Sequence, residues 1–322
     1  AKLRKAGGVA GKSDPLENVP EPALFPLERE GWSSIIDGIG GTGVVTVGAV
    51  LGMAAHLEGR GCGMIDMAGL AQKGGAVFSH VRIAPTPEDI HAIRVSAGKA
   101  DLILGCDLVV SGNKKVLSAV REGETIFVAN TAEVMPGDFA RSADFSLPTE
   151  RLKRAITTAV GPERAHFVDA TQAAAKLFGN SLGANMFLLG FAYQHGGLPL
   201  SAEAIEKAIE LNGQAIDMNI SAFRWGRRAA HEPEAVRSLV EAKTSSTPVR
   251  KLSETLDEVI ERRAEFLTAY QNAAYAKRYR ERVAAIRNAE GKAMPGSTAV
   301  TDAVARNLFK LMAIKDEYEV AR

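Results

Sequence analysis

Cysteine is scarce in this chain: Cys62 and Cys106 are the only two among 322 residues, and no C-x-x-C pair exists. Two thiols cannot build a disulfide framework, and an iron–sulfur cluster takes about four thiolates, so the chain holds none by itself. Long apolar runs are missing too. The longest, Val44 to Ala55, is interrupted by Thr46, Gly48 and Gly52 and falls well short of the roughly 20 residues that span a bilayer. The basic start, Ala1-Lys2-Leu3-Arg4-Lys5, has no apolar segment behind it, so it does not read as a secretory signal and the expected location is the cytoplasm. Neither sign of charge is in excess: 39 lysines and arginines face 38 acidic residues, which gives no electrostatic case for nucleic acid or an anionic membrane as partner. The histidines, at 56, 80, 91, 166, 195 and 231, lack H-x-x-x-H and H-E-x-x-H spacing, so no metal site is read. Neither a G-x-S-x-G elbow nor a G-x-x-x-x-G-K-[ST] loop occurs, which removes the hydrolase and nucleoside-triphosphate readings those motifs carry.

What is present is an alternation of strand and helix patterns. Residues 1–32, with Pro15, Pro20, Pro22 and Pro26 among glycines and charges, read as an extended linker. Ser33 to Asp37 is a buried strand that runs into Gly38-Ile39-Gly40-Gly41-Thr42-Gly43. A helix follows to about Glu58, with Val44, Val47, Val50, Leu51, Ala54 and Ala55 at helical spacing. Gly61 to Met67 is a second strand, so the first three elements read as a βαβ unit. Further strands are expected at 76–83, 101–105, 125–129, 145–147 and 166–168. Helices are expected at 108–120, 150–160, 170–178, 184–195, 201–211 and 214–230. This order predicts an α/β domain over 33–231: a doubly wound, mostly parallel sheet in a Rossmann-like three-layer arrangement. Residues 232–252 read as a second linker. Residues 253–322 read as a helical appendage, one long helix over 253–290 and another from Val300. The chain opens on alanine and Val320-Ala321-Arg322 carries no helix-ending signal, so a longer polypeptide on both sides is expected.

Two glycine-rich segments carry the candidate chemistry. Gly38, Gly40 and Gly43 fit G-x-G-x-x-G, with Asp66 closing the second strand. Such a turn brings backbone N–H groups and a helix N-terminus close to an anion; the same glycines also serve a tight turn that binds nothing. The second segment, Gly69-Leu70-Ala71-Gln72-Lys73-Gly74-Gly75, offers a point charge at Lys73 and close approach at Gly74 and Gly75, or it is a flexible surface turn with a solvated lysine. The two cysteines read as inert core thiols. Asp101 caps a loop. Asn185 opens an apolar helix as an N-cap or as an inward hydrogen-bonding group. No set of acid, base and nucleophile emerges. A free-standing NAD(P)-dependent Rossmann dehydrogenase and a purely structural interaction module both remain compatible with these residues.

Four stretches together resemble the gamma component of pyruvate/2-oxoacid ferredoxin oxidoreductases: Gly38–Gly43, Lys73–Ile83, Ala100-Asp101 and Asn185–Gly190. The form Gly41-Thr42-Gly43-Val44-Val45-Thr46, with Leu70–Gly75, looks most like the fused single-chain indolepyruvate enzymes. Many gamma components carry arginine where this chain has Lys73, and lysine presents one rotatable charge instead of a fork. The resemblance implies a whole enzyme that uses thiamine diphosphate with Mg, [4Fe-4S] clusters and coenzyme A to decarboxylate an aryl 2-oxoacid oxidatively, with ferredoxin as acceptor. It implies an accessory, non-catalytic role for this chain, inactive alone, packed on thiamine-diphosphate-binding and iron–sulfur domains in a homo-oligomer. Its cofactor-side residues would be Gly38, Gly40, Gly41, Thr42, Gly43, Lys73, Gly74 and Gly75.

Overall fold

A computed structural model describes residues 15–28, 31–69, 75–133, 147–244 and 255–313. They fall into two compact units, an α/β unit within Lys5–Ser246 and a helical unit within Thr247–Arg322.

The α/β unit is built on six strands: β1 (Trp32–Ile39), β2 (Gly61–Ala68), β3 (Ala76–Ala84), β4 (Leu102–Gly105), β5 (Ile126–Asn130) and β6 (Ala165–Val168). Their order in the sheet is β2-β3-β1-β4-β5-β6. From β1 outward through β4, β5 and β6 the pairing is parallel. Helix α1 (Val44–Leu57) packs on one face, burying Val44, Val47, Val50, Leu51, Ala54 and Ala55, the residues whose spacing predicted it.

The expected βαβ unit is present, β1 and β2 running parallel and joined through α1, but it is split by a third strand. β3 lies between β1 and β2 and runs antiparallel to both, with Ile39 opposite Ala76 and Asp66 opposite Ser79. The hydrophobic alternation of 76–83 identified a strand, but alternation carries no direction. The connection of only seven residues from β2 to β3 is too short for a parallel crossover, which takes a dozen or more.

On the α1 side lies a second layer of helices, chiefly α5 (Ala170–Phe178), α6 (Ala184–Gln194), α7 (Ala202–Asn212) and α8 (Ile216–His231). α6 and α8 touch through paired glycines. A Cβ on Gly190 would collide with the Phe223 carbonyl, and one on Gly226 with the Phe187 carbonyl. The opposite face is covered more thinly, by α2 (Leu108–Ser111), α3 (Lys114–Leu117) and α4 (Thr149–Val160). The helix expected over 108–120 is thus two single turns. Asn113 restarts the second one, its Oδ1 accepting from Lys115 N at 3.0 Å, because Asn favours capping over a mid-helix position.

Two linker expectations change. Residues 15–28 form no helix or strand, yet they are tied down: Phe25 N donates to Leu198 O at 2.9 Å and Gln194 Nε2 to Pro20 O at 2.7 Å. Arg227, 1% exposed, donates to Glu21 at 2.7 Å. Residues 233–244 are helix α9 (Pro233–Thr244), not linker. Pro233 takes the first helical position, where its missing N–H costs nothing, and Val236 and Val240 are buried. Of the strand expected at 145–147, residues 145 and 146 lie outside the described residues.

Among the described residues the helical unit has three helices, α10 (Leu256–Tyr270), α11 (Ala273–Ala293) and α12 (Ala299–Met312). The single helix expected over 253–290 is interrupted at Asn272, whose Oδ1 accepts from Tyr275 N at 2.9 Å. Ile260, Ala264, Leu267, Ala276, Tyr279, Val283 and Ala305 close a core of their own, and Tyr279 Oη donates to Ala305 O at 2.9 Å. Glu290 accepts from Val300 N at 3.0 Å and Thr301 N at 2.8 Å, capping the start of α12.

Candidate anion site at the glycine turn

β1 ends in the glycine turn, and each glycine has its own reason. A Cβ on Gly38 would stand 2.7 Å from Val44 Cγ2 and 3.0 Å from Cys106 Cβ. Gly41 and Gly43 both have φ +88°, a left-handed conformation that L side chains resist. A Cβ on Gly41 would meet nothing within 4 Å among the described residues.

Because β3 begins opposite the end of β1, the second glycine segment arrives at the same place: Gly40 N donates to Gly75 O at 2.8 Å. Thus Gly38, Gly40, Gly41, Thr42, Gly43 and Gly75 are brought together. Lys73 and Gly74 lie outside the described residues.

Thr42 Oγ1 donates to Ile39 O at 2.7 Å, closing the turn on itself. Gly43 is the N-cap of α1, no side chain caps the first turn, and no acidic residue stands in it. The leading N–H groups of a helix have no intrahelical acceptor and carry the positive end of its dipole. An uncapped, glycine-lined helix start suits a phosphate or carboxylate.

Of the two roles its position suggested, Asn185 takes the hydrogen-bonding one and not the cap. Gly183 is the N-cap of α6, and Asn185 Nδ2 reaches across to donate to Thr42 O at 2.8 Å. It props the turn from outside; a polar residue in an apolar helix was the signal available for it.

Beneath the turn lies a buried polar cluster that sequence reasoning passed over. Asp37 is fully buried; Ser111 Oγ lies 2.7 Å from its Oδ1, and Oδ2 has no partner. Burial drives the Asp37 carboxyl well above the usual range, and Asp107 nearby adds to this. Burial also pushes the Cys62 thiol up to about 11 and raises Cys106, with Asp37 and Asp107 contributing, so neither thiol is poised as a thiolate. Asp101 does structural work: its carboxylate accepts from Ser33 N at 2.8 Å and from Arg121 Nη2 at 2.6 Å.

The dinucleotide reading loses its geometry. It needs a carboxylate at the end of the strand next to β1, but Asp66 sits on β2, with β3 between, one strand spacing or about 5 Å further out.

Sheet and turn together define an α/β unit with an uncapped, glycine-lined helix start at the exit of its central strand. Residues 33–229 match the family model described as pyruvate ferredoxin/flavodoxin oxidoreductase, and the chain belongs to that family. Residues 256–322 match a second model, described as a family of unknown function (DUF6537). Indolepyruvate oxidoreductase subunit IorB of Pyrococcus horikoshii is 30% identical over 203 residues, which is 62% of this chain and 96% of that protein. Its namesake in Methanothermobacter thermautotrophicus is 29% identical, covering 62% and 98%. Among solved structures, the gamma subunit of a keto/oxoacid ferredoxin oxidoreductase from Geobacter sulfurreducens aligns with TM-score 0.45 at 20% identity. That alignment covers 62% of this chain and 98% of the other.

Proposed function

We propose that this chain is the accessory, anion-holding part of a cytoplasmic 2-oxoacid ferredoxin oxidoreductase acting on indolepyruvate or a similar aryl 2-oxoacid. The observation that carries this reading is the Gly40–Gly75 junction, which joins two glycine segments at an uncapped helix start. The relatives named as indolepyruvate oxidoreductase subunits supply the substrate class.

In this reading the turn holds a phosphate of coenzyme A, with Lys73 supplying the countercharge, while the chemistry is done by neighbouring domains. Thiamine diphosphate with Mg, and [4Fe-4S] clusters, belong to those neighbours. Two cysteines fall short of the about four thiolates a cluster takes, and among the described residues no group of three His, Cys, Asp or Glu side chains could hold a metal. No helix among the described residues is long and apolar enough to cross a membrane. The chain's own tasks are to bind and orient the anion and to cover a partner. α1 has no Asp, Glu, Lys or Arg and leaves Val45, Met53 and Leu57 more than one-third exposed, a stripe suited to burial against a neighbour.

The test is reconstitution. The chain alone, given indolepyruvate, coenzyme A, thiamine diphosphate, Mg and ferredoxin, gives no ferredoxin reduction, and adding the cofactor-bearing domains restores it. Turnover by the unaided chain overturns the proposal. Calorimetry with coenzyme A tests the cradle, and absence of binding to both the chain and the reconstituted enzyme removes that part.

A further inference from the structure

Between β3 and β4 the chain makes no helix, only the short 3-10 turn Pro87–Asp89 and a loop. The sheet face over Ile35 and His80, opposite to the α1 side, is therefore covered by this loop and the single turn α3, without a crossover helix between the two strands. The loop is built in place. Arg82 Nη1 donates to Ala92 O at 3.2 Å, Val95 N donates to His80 Nδ1 at 3.0 Å, and Ile90 and Ile93 rest on Gly63. Loop, α3 and strands enclose a cleft of about 430 Å³, lined by Ile35, Phe78, His80, Arg94, Lys115 and Ser118 among others. That is the size range of small-molecule sites.

The lining is one-sided in charge. Arg94 and Lys115 are its only ionised groups, and no carboxylate lines it. Neither cation has an acidic partner among the described residues; Lys115 Nζ stands 5.1 Å from the Phe78 ring centroid.

The decisive group is His80. It is 4% exposed, and because Nδ1 accepts from Val95, the proton of the neutral ring sits on Nε2. No described residue accepts it, and Nε2 is not among the sealed, unpartnered atoms. A lysine and an arginine on a surface are ordinarily a solvated face. His80 adds a donor fixed in place beside them: its ring is otherwise buried, Nδ1 is held by Val95 N, and Nε2 is left facing the cleft. Burial first, then the charges of Arg94 and Lys115, hold His80 down at about 4, so it stays a neutral donor at neutral pH.

We propose that this cleft is a second ligand site, separate from the glycine turn, for a small organic anion. A phosphate ester or carboxylate head meets Arg94, Lys115 and His80 Nε2–H, and an apolar body lies on Ile35, Phe78 and Val95.

The test is titration of the full chain with phenyl phosphate, phenylacetate, inorganic phosphate and the neutral phenol, followed by calorimetry and by chemical shifts of the His80 ring. The organic anions bind and move the His80 signals; phenol binds at least about tenfold more weakly, as expected on losing charge-assisted hydrogen bonds. The ranking of phenyl phosphate against phenylacetate identifies which head group the cleft prefers. Arg94→Ala and Lys115→Ala, both at exposed positions, each weaken binding about tenfold at unchanged melting temperature. Lys292→Ala, in the helical unit, leaves it unchanged. The proposal is overturned if neither organic anion binds, if binding leaves the His80 signals unmoved, or if the Arg94→Ala/Lys115→Ala double variant binds as the native chain does.

Discussion

Ser111 Oγ lies 2.7 Å from Asp37 Oδ1 and also 2.7 Å from the carbonyl oxygen of Asp107. A hydroxyl has one proton to give. When it goes to the Asp107 carbonyl, which can only accept, the Asp37 contact is a hydrogen bond only if Asp37 is the donor. That requires a protonated carboxyl, in agreement with its raised pKa. An ionised Asp37 would leave a buried charge with one oxygen unpartnered, a situation that proteins avoid by neutralising the group.

Asp37 therefore makes the fold pH-dependent. Its folded pKa lies above the unfolded value, so its stabilising contribution is complete below about pH 4 and is lost as pH rises toward the folded pKa. Asp37→Asn keeps a neutral donor next to Ser111. It is expected to match or exceed the native chain at pH 7 and to flatten the decline of melting temperature with rising pH. Denaturation midpoints from pH 4 to pH 8 check this, and an unchanged slope would refute it.

The histidines act at the other end of the scale. His166 and His195 stack with ring centroids 3.7 Å apart. Burial, followed by the charge of His166, holds His195 at about 4; burial, followed by Arg164, lowers His166. Both are neutral in the fold, so their contribution is present above the unfolded value of about 6.5 and lost as pH falls toward the folded values. His195→Phe, which keeps a flat ring, should recover about 2 kcal/mol of the stability lost by about pH 4.5. Paired pH titrations of unfolding measure it.

The α6–α8 contact permits no added methyl. Gly190→Ala and Gly226→Ala each direct a Cβ into a backbone carbonyl of the facing helix. Backbone cannot rotate aside as a side chain does, so the cost should exceed the usual overpacking range of about 1–3 kcal/mol. Loss of soluble folded protein, or a melting temperature lower by many degrees, is the expected readout. Gly291→Ala, where a Cβ meets nothing within 4 Å, is the control.

Arg227 joins the N-terminal segment to the sheet unit. Its guanidinium donates to Glu21 and Gln194 and lies 4.9 Å from the Tyr193 ring centroid. Arg227→Ala should destabilise by about 2 kcal/mol. That is less than the 3–5 typical of a fully buried pair, because the Glu21 side chain is two-thirds exposed (66%). It should also speed proteolysis at residues 15–28, and limited digestion followed by mass spectrometry reports both native and variant rates.

Asn185→Ala withdraws the donor from the Thr42 carbonyl. The turn loses its prop but not its glycines. The expected outcome is weaker coenzyme A binding, by about tenfold, with stability lowered by no more than about 1 kcal/mol. Calorimetry beside thermal melts separates the two effects.

Much of this fold was legible where local chemistry decides it. The buried face of α1 was read in all but Gly48, because apolar spacing at a helical period has one physical meaning. Ala170–Phe178 was read too, and runs from an aspartate cap to a left-handed Gly179. Strand direction was not legible, since Phe78, His80 and Arg82 alternate with Val77, Ser79 and Val81 equally well in either sense. Residues 233–244 read as linker because the role of Pro233 at a helix start depends on Val236 and Val240 finding the core, a tertiary fact. At the site, the glycines announced themselves by type. Asn185 and Asp37 did not, because their meaning lies in atoms over 70 residues away in the chain.

Reversing one strand also changes how this protein can vary. In a sheet wound in the ordinary way, the mouth beside the central strand is bounded by segments that continue directly into helices, so lengthening one shifts a packed cylinder. Here Gly75, which meets Gly40 at the end of β1, leads into a strand and not into a helix. A substitution at that junction therefore displaces no packed helix directly, so the rim of the mouth and the helical layers can change independently.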